Sequence, residues 1–143
     1  MAIDESPARL RAKPSWLISK TSARAHRLIA EAMAGAGGRA YHFAILAALD
    51  EFGPGSQAQI GQRCGIDQSD MHAMVNELAR QGHVERMPDP GDRRRNLIEL
   101  TAAGRRRLEE LDAALSGVQD SLFDALSAAE RDQLTQLLTR ILG

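Results

Sequence analysis

The chain is poor in the residues that anchor many small folds: it has one cysteine, one tryptophan, one tyrosine and three phenylalanines in 143 residues. A lone thiol, Cys64, closes no disulfide within the chain and offers no cysteine-based zinc site. With aromatics at 3%, a core has to be filled by Leu, Ile, Ala and Met. No stretch approaches the ~18 consecutive apolar residues of a membrane span. The N-terminus lacks the apolar core of a signal peptide, so no membrane partner is expected and the cytoplasm is the expected compartment. Net charge is also nearly absent, at −1. Taken alone, that value argues against a polyanionic partner.

The distribution of charge reverses that argument. Residues 1–40 carry seven basic and three acidic side chains, and residues 83–107 carry seven and four. Residues 41–82 carry two basic and five acidic, and residues 108–143 two and seven. Two basic segments are thus averaged away against acidic ones, and a local basic patch matters more for phosphate binding than the chain's pI. The length suits one structural domain with a real core.

Residues 1–12 are charged and expected to fray. Pro14 suits the first turn of a helix over 14–34, with Leu17, Thr21, Ala25, Leu28 and Ala32 at helical spacing. Gly35, Gly37 and Gly38 end it. A second helix over 39–52 would bury Tyr41, Ile45, Ala48, Leu49 and Phe52, and Gly53-Pro54-Gly55 stops it. Ser56 is a good N-cap for a short helix from Gln57 to Cys64. Only Gly65 and Ile66 separate that helix from the next cap, Asp67. The following helix runs to about Gln81. Two helices joined by so tight a turn cross steeply, as in a helix-turn-helix.

The second helix of this pair divides by face. Met71, Val75 and Leu78 point inward, with Ala79 beside them. Gln68, Ser69, His72 and Asn76 share the opposite face, where donors and acceptors suit base edges in a major groove. Arg80, one turn on, is within reach of a phosphate. A short strand, His83 to Met87, then leads into a turn marked by Pro88, Pro90 and Gly91. The returning strand places Ile98 and Leu100 on one face and Glu99 on the other. Between turn and strand stand Arg93, Arg94 and Arg95, a mobile cationic finger with no core to stabilise, whose usual partner is phosphate or a nucleic-acid groove. Thr101 caps the next helix.

The segment from Ser56 to Gly104 resembles the winged helix-turn-helix core of the MarR (multiple antibiotic resistance regulator) transcription factors. The resemblance is strongest over Asp89-Pro90-Gly91-Asp92-Arg93-Arg94 and over Ile98-Glu99-Leu100-Thr101-Ala102-Ala103-Gly104, which is similar to that family's wing. It implies a mainly α fold with a small β-hairpin. Residues 1–38 would be an N-terminal arm and first dimerisation helix, 39–104 the DNA-binding lobe, and 105–143 the C-terminal dimerisation helices, all within one structural domain. It also implies a homodimer placing two recognition helices in successive major grooves of a pseudo-palindromic operator on double-stranded DNA, with repression the commoner mode. Gln68, Ser69, His72 and Asn76 would then face bases, and Arg93, Arg94 and Arg95 would enter the minor groove. Asp92 would brace one wing arginine, and Gln57 would offer its backbone N–H or side chain to phosphate.

The chain ends fit a dimer. Leu108, Leu111, Leu115, Val118 and Leu122 line a long helix over 102–123. Ser127 and Glu130 form a capping box that opens a last helix with Leu134, Leu137, Leu138, Ile141 and Leu142. The resemblance further implies a small aromatic or phenolic-acid effector, for which Trp16, Lys20, His26 and His42 are the candidate contacts. Two other readings follow from the sequence. One is a winged helix that binds protein, although such a module has no need of three arginines in its wing. The other is a redox-responsive regulator acting through Cys64, although that thiol sits at a core-facing position. His26, His42, His72 and His83 are scattered without metal-ligand spacing. No nucleophile–base pair or glycine-rich phosphate loop is present, so no metal, no other cofactor and no enzymatic activity are expected.

Overall fold

A computed structural model describes residues 3–143. The first residues of the stretch expected to fray, 1 and 2, lie outside the described part. The rest of it forms a 3-10 turn at Ile3–Glu5 and a short helix α1 at Ala8–Arg11, tied by Arg11 Nε donating to the Ser6 carbonyl at 2.9 Å. Then come α2 (Pro14–Gly35), α3 (Ala40–Phe52), β1 (Gly55–Ser56), α4 (Gln57–Cys64) and α5 (Gln68–Arg80). They are followed by β2 (Val84–Asp89), β3 (Asp92–Leu100), α6 (Ala102–Leu122) and α7 (Ala128–Leu142). No helix among the described residues is long and apolar enough to cross a membrane.

The chain forms two compact units. One comprises Ala30–Leu115. Its core is Met33, Ile45, Leu46, Leu49, Ile60, Met71, Met74, Val75, Leu78, Val84, Ile98 and Leu111, all nearly inaccessible to solvent. The face of α3 differs from expectation. Tyr41 and Phe52 are exposed, while His42, Ile45, Leu46 and Leu49 turn inward. Phe52 instead stacks under the Arg63 guanidinium, 4.6 Å from its ring centre. On α5, Met74 joins the expected Met71, Val75 and Leu78 in the core.

Local chemistry explains the tight helix pair. Ser56 Oγ accepts from the Gln59 backbone N–H at 3.2 Å, and the Gln59 side chain accepts from the Ser56 N–H at 3.0 Å. These two bonds satisfy donors that the first turn of α4 leaves unpaired. Gly65 ends α4 in the left-handed region, φ 67°, where a Cβ would be strained. Asp67 then caps α5 by accepting from the Asp70 N–H at 2.8 Å.

The sheet is antiparallel in the order β1-β3-β2. β1 is two residues long and pairs Gly55 with Ile98 and Ser56 with Leu97. It has no counterpart in the expected elements, because two residues carry no readable alternation. β2 and β3 pair regularly from Val84–Leu100 to Pro88–Asn96, and the next pair is Asp89–Asp92. Over that interval β3 advances from residue 92 to 96 while β2 advances one residue. Arg93, Arg94 and Arg95 therefore bulge out of the ladder near the turn. They fall within the bounds of β3.

The second unit comprises residues up to Ile29 together with Ser116–Gly143. Ser127 and Glu130 form the expected capping box. Arg131 donates to the Phe123 carbonyl at 3.2 Å and pairs with Asp120 at 3.1 Å, which fixes the α6–α7 corner. An apolar groove lined by Leu17, Ile18, Ala25, Leu122, Phe123, Leu134 and Leu138 runs through this unit. Ile18, Leu137, Leu138, Ile141 and Leu142 are exposed, so much of the leucine at the chain end is not covered within the protomer.

Candidate nucleic-acid interface

The exposed face of α5 carries Gln68, Ser69 and His72, with Asn76 half-buried at its edge. The i, i+4 spacing of Gln68, His72 and Asn76 follows from the same periodicity that buries Met71, Val75 and Leu78. Ser69 is tied back to the cap, its hydroxyl donating to Asp67 Oδ1 at 2.9 Å. The Asp70 N–H, and after it the Ser69 hydroxyl, hold the Asp67 carboxyl below the ordinary aspartate range. His72 and Asn76 are in contact, Nε2 to Nδ2 at 3.2 Å. Arg86, from β2, donates to the Asn76 amide oxygen. Neither Arg86 nor this link is readable from the sequence, since nothing in a strand's pattern says which helical residue it will meet.

The wing arginines are exposed. Asp92 pairs with Arg94, Oδ1 to Nε at 3.4 Å, and also accepts from the Arg94 backbone N–H at 3.0 Å. A second brace, missed from the sequence, is Asp89, which pairs with Arg95 at 3.4 Å and accepts from the Gly91 N–H at 2.8 Å. Each carboxylate thus holds the turn backbone and one arginine, and Arg93 is left between them. Gln57 lies half-buried in the first turn of α4. Arg80 lines a separate cavity of about 390 Å³ with Gly37, Gly38, Arg39, His42, Glu77 and Gln81.

The four candidate effector contacts divide between the two units. Trp16 and Lys20 come together on α2, with the ammonium 5.5 Å from the indole ring centre. His26 is exposed further along the same helix. His42 belongs to the other unit and is 2% exposed. Its Nε2 contacts Glu77 Oε2 at 2.8 Å, and Glu77 also pairs with Arg39 at 3.3 Å. The His42 Nδ1 is buried without a partner.

Burial lowers the His42 pKa and outweighs the opposing pull of Glu77; Arg39 and Arg107 lower it further. Burial, helped by Arg107, also lowers that of His83. A histidine depressed in the folded state stabilises it fully above its unfolded pKa, and that stability is lost as pH falls through the folded value. The protein should therefore lose stability as pH drops below about 6.5, and His42→Gln should lose less over the same interval. Urea unfolding at pH 7.5 and 5.5 measures both; equal losses in the two proteins would contradict the assignment to His42. Cys64 is half-buried and its thiol donates to the Ala44 carbonyl at 3.4 Å. Burial pushes its pKa up against the opposing charge of Arg63. A thiol held protonated in this way is a poor redox sensor.

Comparison with known proteins places this geometry among relatives. Residues 38–95 match the model of the MarR family. The chain is 32% identical over 100 residues to the HTH-type transcriptional repressor NicR of Pseudomonas putida, covering 70% of this chain and 63% of that protein. The chain therefore spans less than two thirds of that curated relative. A crystal structure of a probable transcriptional regulator from Pseudomonas aeruginosa is 31% identical, with a TM-score of 0.80 over 92% of this chain and 98% of that one. Bordetella bronchiseptica BpsR, whose DNA binding is regulated by 6-hydroxynicotinic acid, is 25% identical, with a TM-score of 0.80 over 95% of this chain and 97% of that one.

Proposed function

This chain belongs to the MarR family, and on that premise we propose that it is a cytoplasmic, sequence-specific transcriptional repressor. It binds a pseudo-palindromic operator as a homodimer and is released by a small aromatic acid. The observation that carries this reading is the pairing of an exposed polar face on α5 with an arginine bulge on the wing beside it. The first offers hydrogen-bonding groups to a major groove, and the second offers fixed positive charge to the backbone and minor groove. A protein-binding winged helix would gain nothing from three adjacent arginines projecting from the ladder.

Dimerisation would use the elements at the two chain ends, residues 1–38 and 105–143. Their exposed Ile18, Leu137, Leu138, Ile141 and Leu142 are the surface that a second copy would cover. Leu138→Asp should convert a dimer to a monomer in sedimentation and weaken operator binding more than tenfold, since two half-sites are then read separately. A variant that stayed dimeric would remove α7 from the proposed interface.

For the effector, the similarity to BpsR supports a ring bearing a carboxylate. The Trp16–Lys20 pair offers a stacking face and a cation to such a molecule, and His26 and His42 remain candidate hydrogen-bonding partners. The direct test of the whole reading is a mobility shift with DNA from immediately upstream of the protein's own gene, at two salt concentrations and with nonspecific competitor. A discrete salt-sensitive shift, weakened by aromatic acids, is expected. Binding that competitor DNA removes completely would contradict sequence-specific regulation.

A further inference from the structure

Three residues at the edge of the α5 face form a relay whose hydrogen-bond directions are fixed by chemistry. A guanidinium has only donors, so the Asn76 amide atom facing Arg86 is the oxygen, as observed. The amide NH2 group then faces His72 Nε2, at 3.2 Å. That group has only donors toward the ring, so Nε2 accepts with its lone pair and the imidazole proton sits on Nδ1. Arg86 comes from β2 and the other two residues from α5, so the relay also ties the helix to the wing.

Resting on the DNA-binding reading above, we propose that Asn76 is a positioning residue, and that the Arg86–Asn76–His72 relay presents His72 to the major groove as a donor through Nδ1–H. Asn76 is half-buried, and its oxygen and one of its N–H groups are already engaged within the protein. His72 is exposed. A donor there selects base atoms that accept: N7 or O6 of guanine, N7 of adenine, or O4 of thymine. It disfavours cytosine, whose major-groove edge offers an amino donor. With its oxygen and one N–H engaged, Asn76 is not poised for two-point pairing with a base, and it sets the polarity with which its neighbour reads one.

Two measurements test this. The nitrogen shifts of the His72 ring in the free protein report which nitrogen carries the proton, and they require no DNA. The expected result is Nδ1–H in the parent protein. Asn76→Asp should move the proton to Nε2, because a carboxylate still accepts from Arg86 but now also accepts from the ring. Asn76→Ala should give a mixture. An Nε2–H ring in the parent protein would overturn the relay.

Selection of binding sites from random DNA is the second measurement. Asn76→Ala and His72→Ala should relax base preference at the same operator position, each by about tenfold. Loss of preference at a different position in Asn76→Ala would overturn the positioning role and make Asn76 a base reader. If folded parent protein selects no sequence, the DNA reading and the base assignment fail together, while the ring proton still decides whether the relay exists.

Discussion

Replacing Arg93, Arg94 and Arg95 by alanine should weaken operator binding on the order of a thousandfold at physiological salt while leaving the fold intact. Each arginine that neutralises a phosphate contributes about 0.9 to the slope of log affinity against log salt. Two wings with three arginines each would thus lose a slope of up to about five. The cost to folding should stay within about 0.5 kcal/mol, because these side chains touch no core and exposed ion pairs contribute little. The pairs of Arg94 with Asp92 and Arg95 with Asp89 aim the side chains rather than stabilise the domain. A salt titration of binding by parent and variant checks this. An unchanged slope would mean that the bulge does not meet DNA.

Gly104→Ala should destabilise the protein by roughly 3 kcal/mol, lowering its midpoint by roughly 10 °C in thermal unfolding. A methyl group at this buried position would collide with the His83 carbonyl oxygen and approach Leu100 Cδ1 to 2.8 Å. The obstacle is backbone, and it is held from several sides. The His83 carbonyl accepts from the Thr101 N–H at 3.2 Å. Thr101 Oγ1 donates to the Gly82 carbonyl at 2.7 Å and accepts from the Gly104 N–H at 2.9 Å. The turn before β2 and the start of α6 are thus one interlocked unit, and neither side can retreat cheaply. A melting temperature unchanged within about 2 °C would show that the two segments separate more easily than this bonding implies.

The sequence is most legible where a single residue dictates local geometry. Ser56, Asp67, Thr101 and Ser127 all serve as the expected caps, and Gly65 ends α4 as expected. Pro90 and Gly91 mark the hairpin turn, whereas Pro88, expected in the turn, lies in β2 and pairs with Asn96. Periodicity fails on α3 because that helix is apolar nearly all round, so two overlapping stripes satisfy helical spacing. Burial of His42 and Leu46 in place of Tyr41 and Phe52 is decided by what packs against α3. The arginine bulge is an irregularity of pairing between two strands and leaves no mark within either. Arg86 meeting Asn76, and Glu77 meeting His42, are contacts between distant segments that no local pattern encodes.

Selection of binding sites from random double-stranded DNA, followed by the mass of the resulting complex, bears most directly on sequence-specific recognition by the helix-turn-helix and its wing. Expected are two similar half-sites in inverted orientation, centred about one helical turn apart, occupied by two protomers. Enrichment of no sequence by folded protein, or of a single half-site bound by one protomer, would contradict the homodimeric regulator proposed for this chain.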